Sequence, residues 1–356
     1  MADERISRVL APVRDQHNLV GLVGAIVRSE GLVGVGVQGK RKVGSDVPVE
    51  PSDRVHLGSC TKAMTATMIG SLVEEKKLGW DSTLADVFPS RAGDFHPDFR
   101  KVTLWQLLTH RAGLPHDGPW WNLGRGRSTT DQRRELLSRM LGVAPLSPPG
   151  QRYEYSNVGY AIAGLMAEET TGRSWEDLMR DRLFKPLGMT STGFGIPGIG
   201  TRVDQPWGHH DEGGTIRPIR ADNAAAMGPA GTIHASMADW ARFSALHLRA
   251  ARGKPSVLAA STFRKLHTPP SGHEYAGGWF VAERSWAGGK TLMHKGSNTM
   301  WYASVWIAPL RDLAVLVATN QAGGNVDAAC DAATEALLRL DAFRQRTTTP
   351  SRRSRG

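Results

Sequence analysis

Ser59 and Lys62 stand three residues apart in Ser59-Cys60-Thr61-Lys62, the one S-x-x-K in a chain of 356 residues. An extended stretch, Arg54-Val55-His56-Leu57-Gly58, precedes them, and a helical pattern from Cys60 to Lys77 follows. Residues three apart on a helix share one face, a turn from each other. A serine hydroxyl is a weak nucleophile until a neighbour takes its proton. The pair suits a nucleophilic serine activated by a lysine. It equally suits a helix-capping serine beside a solvated lysine, so other groups must decide.

Two further fragments bear on the choice. Tyr155-Ser156-Asn157 lies between Pro148-Pro149-Gly150 and the start of an amphipathic pattern. A phenol can relay a proton when nearby cations lower its pKa from about 10. An asparagine amide can orient a substrate or bond the lysine. The bland alternative is a Ser/Asn helix cap with a packed tyrosine. His294-Lys295-Gly296-Ser297 ends a late strand. A glycine there gives a substrate room against the strand edge, and an edge N–H can polarise a carbonyl oxygen. The bland alternative is a strand end with one exposed histidine.

The elements that must position these groups can be read from the patterning. Residues 6–17 read as a helix, 22–28 and 32–38 as a hairpin, and 53–57 as a short strand entering the Ser59 helix. Thr103 caps a helix over 104–110, and Gly113-Leu114-Pro115 ends it. Helices are expected over 130–140, over 157–171 with Gly172 as its stop, and from Ser174 to about Phe184. Strand character returns over 278–283, 290–295, 301–307 and 313–319, before a closing helix over 326–340. Strands at both ends with helices between predict an α+β chain: an antiparallel sheet built from both termini and flanked by helices. The expected division is a discontinuous sheet domain, 1–85 and 224–342, with a mainly helical insertion, 86–223. The Gly34–Lys40 stretch nearly matches a phosphate-binding loop but sits in a strand pattern with Arg41 in the Ser/Thr place, so it carries no nucleotide reading.

In this order, S-x-x-K, Y-x-N and a basic residue-x-Gly on a late strand resemble the serine β-lactamase and penicillin-binding-protein superfamily. The class C branch, with its esterase, D-aminopeptidase and DD-peptidase relatives, is the nearest likeness. Leu107–Pro115, Gly228-Pro229-Ala230-Gly231 and Ala276-Gly277-Gly278-Trp279 agree. The resemblance implies a β-lactamase/transpeptidase-like fold over about 20–340. It implies that Ser59 becomes acylated, that Lys62 and Tyr155 share the proton work, and that Asn157 orients substrate or Lys62. It also implies that the Ser59 and Ser297 N–H groups form an oxyanion hole, with His294 and Gly296 beside the substrate. Lys62 must lose its proton, so it is expected to be enclosed; which of Lys62 and Tyr155 is the base stays open. The chain departs from the superfamily's Lys-Thr-Gly: His294 takes the lysine position and is mostly neutral near pH 7. Strand alternation turns Lys295 to the other face. Recognition of a substrate carboxylate is thereby weakened, which favours a small ester or amide over a β-lactam. A D-amino-acid peptidase or DD-carboxypeptidase-like amidase is the alternative within this chemistry. A non-catalytic binder on the same fold is the alternative outside it.

Composition narrows the partners. The net charge is +10, but 343–356 alone holds five arginines and no acid, and reads as a disordered basic tail. The body carries no nucleic-acid motif, so no nucleic-acid partner is expected. Two cysteines, Cys60 and Cys330, make no disulfide framework or metal spacing. His209-His210-Asp211 lacks a partner pattern, and no metal or cofactor is expected. The apolar run from Leu19 to Val27 is too short to span a membrane, and Met1–Arg5 lacks the order of a signal peptide. A cytoplasmic location follows as the expectation; the oligomeric state is not readable. Trp120, Trp121, Trp279 and Trp301 are candidate pocket walls.

Overall fold

Two strands from the N-terminus and four from the C-terminus share one six-stranded sheet. A computed structural model describes residues 1–124 and 126–348, with side chains as far as residue 341. In chain order the strands are β1 (Gly21–Arg28), β2 (Gly31–Gly39), β3 (Arg54–His56), β4 (Gly193–Phe194), β5 (Gly208–Glu212), β6 (Thr215–Ile219), β7 (Ile233–Ser236), β8 (Phe280–Arg284), β9 (Gly289–Ser297), β10 (Tyr302–Ala308), β11 (Leu313–Thr319) and β12 (Ala322–Gly323). The large sheet runs β2-β1-β11-β10-β9-β8. Every neighbouring pair in it is antiparallel. The expected α+β architecture is present, closed by the β1–β11 pair that joins the two chain ends.

Both faces of this sheet are covered, which explains why its central strands read as continuous apolar runs. Along β11, Leu313, Val315 and Val317 point to one side, toward the helices Glu4–Gln16 and Val326–Thr348. Ala314, Leu316 and Ala318 point to the other and join the main core with Met64, Met68 and Phe243. The helix Thr61–Glu74 is buried on nearly all sides. It runs through the middle of the molecule, against Gly228–Gly231 and the helix Asn157–Thr171.

The middle of the chain, expected to be mainly helical, contains strands as well. Residues 86–223 supply the helices Leu104–Leu108, Thr129–Leu141 and Asn157–Thr171 but also β4, β5 and β6. Two of these pair outside the segment, β4 with β7 and β5 with β12. The β5–β6 hairpin escapes the sequence reading because its outer strand, Thr215–Ile219, is mostly exposed and has no alternating apolar pattern. The closing helix also runs on to Thr348, past the expected start of the tail at Phe343. The remainder of that tail, 349–356, lies outside the described residues.

Candidate active site

Strand β3 pairs with β7 and then hands the chain to a tight 3-10 turn, Gly58–Cys60, which opens the helix Thr61–Glu74. Gly58 has φ +49°, and a Cβ built on it would stand 2.3 Å from the Ser297 nitrogen. A Cβ on Gly296 would stand 2.1 Å from the Leu57 carbonyl oxygen and 2.6 Å from the Ser59 nitrogen. The turn and the end of β9 are therefore in backbone-to-backbone contact, which only glycine at both places allows. The Ser59 and Ser297 amides thus sit on adjoining backbones. The space that a Gly296 side chain would take is filled by the Leu57–Cys60 backbone.

Lys62 is fully buried. Its Nζ lies 3.1 Å from Ser59 Oγ, 2.8 Å from Asn157 Oδ1 and 2.9 Å from the Ala230 carbonyl oxygen. Burial pushes its pKa down to about 7, against the opposing pull of Asp117. Two of the three partners are oxygens that only accept. A neutral amine has two N–H bonds and one lone pair. Its two hydrogens are taken by Asn157 and Ala230, so the lone pair is left for the Ser59 hydroxyl proton.

Tyr155 and Asn157 are held by the segment that follows the capped helix Leu104–Leu108. His110, at φ +56°, accepts the Ser156 N–H on Nδ1 at 3.0 Å. The Pro115 carbonyl accepts from Ser156 Oγ at 2.6 Å, and the His116 carbonyl accepts from Asn157 N at 2.8 Å. Ser156 in turn caps the helix Asn157–Thr171. Asp117 was not foreseen. Its Oδ1 accepts from Asn157 Nδ2 at 2.9 Å and from Trp120 Nε1 at 3.0 Å. That bond fixes the amide so that Oδ1 faces Lys62. Burial alone would raise the Asp117 pKa, but hydrogen bonds from Asn157, Trp120 and His116 hold it below the usual carboxylate value. Asp117 sits in an irregular loop, and only its place just after Gly113-Leu114-Pro115 hints at it.

The Tyr155 ring lies 4.4 Å from the His110 ring, and Lys62 Nζ lies 4.7 Å from the Tyr155 ring centre. Burial raises the Tyr155 pKa, while an interaction with the Ser59 side chain opposes that shift. A raised pKa does not favour this phenol as a base.

His294 is only 1% exposed. Its Nε2 lies 3.0 Å from the Tyr275 hydroxyl, and burial, with Lys62 nearby, pushes its pKa down to about 3. The ring is buried, and its Nε2 is paired with the Tyr275 hydroxyl. Lys295 projects to the far side of the sheet, where it pairs with Asp327 at 2.6 Å and Asp331 at 3.0 Å. Ser297 remains exposed.

A cleft of about 590 Å³ is lined by Asp117 and Asn298, which neighbour these groups, but by none of Ser59, Lys62, Tyr155, His294 and Ser297. Asp117, Trp120, Trp121, Asp222, Met227 and Met300 are among its walls, and no lysine or arginine lines it. Trp121 is 67% exposed at the cleft wall, whereas Trp279 and Trp301 are core residues. His209 and His210 spend their Nδ1 atoms on the carbonyls of Asn320 and Thr299, and His209 Nε2 accepts the Val43 N–H. No group of three or more metal-ligating side chains occurs among the described residues. Nor is any described helix long and apolar enough to cross a membrane.

The family described as Beta-lactamase matches residues 6–340. Penicillin-binding protein 4 of Amycolatopsis lactamdurans is 28% identical over 291 residues, covering 78% of this chain and 74% of the relative. The unguisins hydrolase ungD' of Aspergillus campestris is 24% identical over 290 residues, or 76% of this chain. The chain spans 53% of that relative's length. Among solved structures, the D-amino acid amidase from Ochrobactrum anthropi SV3 superposes with a TM-score of 0.75 at 19% identity, over 97% of this chain and 99% of that one. The last likeness is one of fold.

Proposed function

The chain belongs to the beta-lactamase family of serine hydrolases, and from that premise we propose that it hydrolyses small, uncharged esters or amides through an acyl-enzyme on Ser59. The observation that carries the reading is the set of partners around Lys62 Nζ. A buried amine near pKa 7, with its two hydrogens held by carbonyl oxygens, is a base aimed at the Ser59 hydroxyl.

In the proposed reaction Ser59 Oγ attacks the substrate carbonyl carbon and its proton passes to Lys62 Nζ. The carbonyl oxygen becomes an oxyanion between the Ser59 and Ser297 amides; one such donor contributes roughly 3 kcal/mol. Collapse expels the leaving group. That group takes up the proton from Lys62 through the neutral phenol of Tyr155, an exchange that regenerates each side chain. A water that gives its proton to the same amine then attacks the acyl carbon, and on collapse the Ser59–acyl bond breaks and Ser59 Oγ takes that proton back from Lys62, releasing the acid. Asn157 and Asp117 keep the amine oriented throughout.

The cleft supports an uncharged substrate. With His294 buried under Tyr275, Lys295 bound elsewhere and no lysine or arginine in the wall of the neighbouring cleft, a substrate carboxylate there would meet Asp117 and Asp222, with His210 the one histidine in that wall. Trp120, Trp121, Met227 and Met300 offer apolar surface for the acyl or leaving group.

A panel of short-chain p-nitrophenyl esters, run beside a chromogenic cephalosporin, tests this. Ester turnover is expected, with kcat/KM down by a factor of about 10³ or more in Ser59→Ala, and cephalosporin turnover is expected to be slight. Dominant cephalosporin turnover would overturn the substrate reading. Absence of Ser59-dependent turnover of esters, anilides and cephalosporin alike would favour a non-catalytic binder.

A further inference from the structure

Three walls of the site meet at one side chain that takes no part in the proton transfers. Asp222 lies in the stretch between β6 and the Gly228–Gly231 segment. Its Oδ1 lies 2.9 Å from His56 Nε2 and accepts from Asn298 Nδ2 at 3.1 Å. His56 is fully buried, and its Nδ1 accepts the backbone N–H of Gly58 at 3.1 Å. Gly58 precedes the nucleophile, and Asn298 follows Ser297. The next residue, Asn223, donates Nδ2 to the Gly231 carbonyl at 2.7 Å. Gly231 adjoins Ala230, whose carbonyl holds Lys62.

We infer that Asp222 is a positioning residue that holds the two oxyanion-hole backbones in register, through His56 to the Gly58–Ser59 turn and through Asn298 to the end of β9. The inference rests on the acyl-enzyme reading above. Because His56 Nδ1 accepts a backbone N–H, that nitrogen carries no proton, and the ring proton sits on Nε2, which stands 2.9 Å from the carboxylate oxygen without hydrogen-bonding geometry to it. Asp222 Oδ1 accepts from Asn298 Nδ2 and from the Asn223 N–H at 2.7 Å and stands within ion-pair range of His56, so it links the end of β9 to the strand before the turn, beside the weak Cys60 Sγ contact with the His294 carbonyl. Gly58 and Gly296 let the backbones touch; they supply no bond that resists sliding. Asp222 Oδ2 is buried without a hydrogen-bond partner among the described residues. An acid kept there at that desolvation cost, beside the nucleophile turn, has a use beyond anchoring its own loop.

The test compares Asp222→Ala, Asp222→Asn and Asn298→Ala with the wild type. Active sites are counted by fluorophosphonate labelling of Ser59. Rates per labelled site are measured with p-nitrophenyl acetate, affinities with phenylboronic acid, whose tetrahedral adduct mimics the oxyanion, and folding by thermal melting. Asp222→Ala is expected to lose about 30-fold in kcat/KM per site, short of the roughly 100-fold that a 1 Å misplacement can cost, and to lose boronate affinity in parallel. Asp222→Asn keeps an accepting oxygen and is expected to stay within about threefold of wild type. A purely structural role would lower the melting temperature and the labelled fraction but leave boronate affinity per site unchanged. Should Asp222→Ala not fold, Asn298→Ala is read by the same criterion. Folded variants within about threefold of wild type in both readouts, or an Asn variant as impaired as the Ala variant, overturn the inference. If the wild type is not labelled at Ser59, the acyl-enzyme reading fails first, before the variants bear on Asp222.

Discussion

Lys62→Met should reduce kcat/KM on a p-nitrophenyl ester by about 10³-fold or more and leave the protein folded. A positioned base supplies roughly 10²–10⁴-fold, and here the same amine also returns the proton to the leaving group, so both halves of the cycle fail together. Methionine is unbranched and apolar and fills the buried channel without a charge to desolvate. Loss of turnover with an unchanged melting curve would assign the defect to chemistry. Turnover within about tenfold of wild type would remove Lys62 from the base role, and with it the argument from its three oxygen partners.

The same residue sets the pH dependence. The amine acts when neutral, so kcat/KM should climb about tenfold per pH unit below about 7 and level above it. The stability effect has the opposite origin. Burial lowers the folded-state pKa of Lys62 to about 7, against about 10.4 in an unfolded chain. Between these values the unfolded state binds more protons, so stability rises with pH across that window. Below about 7 the folded state must also carry a buried ammonium, and the penalty is then at its full size. Wild type should therefore gain stability relative to Lys62→Met as pH is raised from 7 to 10. Parallel denaturation curves at the two pH values check this, and a constant difference would contradict an enclosed, neutral lysine.

The sheet was legible in the sequence because its strands are local apolar runs separated by turn residues. Leu313–Thr319 and Asn157–Thr171 emerge with the boundaries their patterns suggest. Ser59, Lys62, Tyr155 and Asn157 were legible because each belongs to a short motif whose spacing has a chemical meaning. Asp117 and Asp222 were not. Each acts through a contact made across a large sequence separation, Asp117 to Asn157 and Asp222 to His56 and Asn298, and neither lies in a periodic element. The packing of Gly296 was hidden for a related reason. The sequence announces a missing side chain, but only the fold says what occupies the vacated volume. For His294 the residue type predicted neutrality, while the covering Tyr275 comes from the preceding irregular stretch and from no motif of its own.

Gly296→Ala is expected to be a severely damaging change for the addition of a single methyl group. The added carbon would stand 2.1 Å from the Leu57 oxygen, 2.6 Å from the Ser59 nitrogen and 2.9 Å from the Cys60 nitrogen. All three are backbone atoms, so no rotamer change relieves the contact. Ordinary carbon–heteroatom contact needs well over 3 Å, hence the Leu57–Cys60 turn and the end of β9 must separate by about an ångström. The turn cannot retreat freely, because the helix that follows it is buried on nearly every side and Leu57 N is bonded to the Ile233 carbonyl. Overpacking of this kind costs about 1–3 kcal/mol of stability, a loss the fold can survive. The separation also opens the distance between the Ser59 and Ser297 amides, and a displaced donor pair no longer matches the oxyanion. A loss of about 10²–10³-fold in kcat/KM follows, with Ser59 and Lys62 both still present. Phenylboronic acid affinity should fall with the rate, since the adduct needs the same two amides. A folded Gly296→Ala protein that keeps wild-type turnover would mean that the oxyanion is held elsewhere, and that the contact between the two backbones serves packing alone.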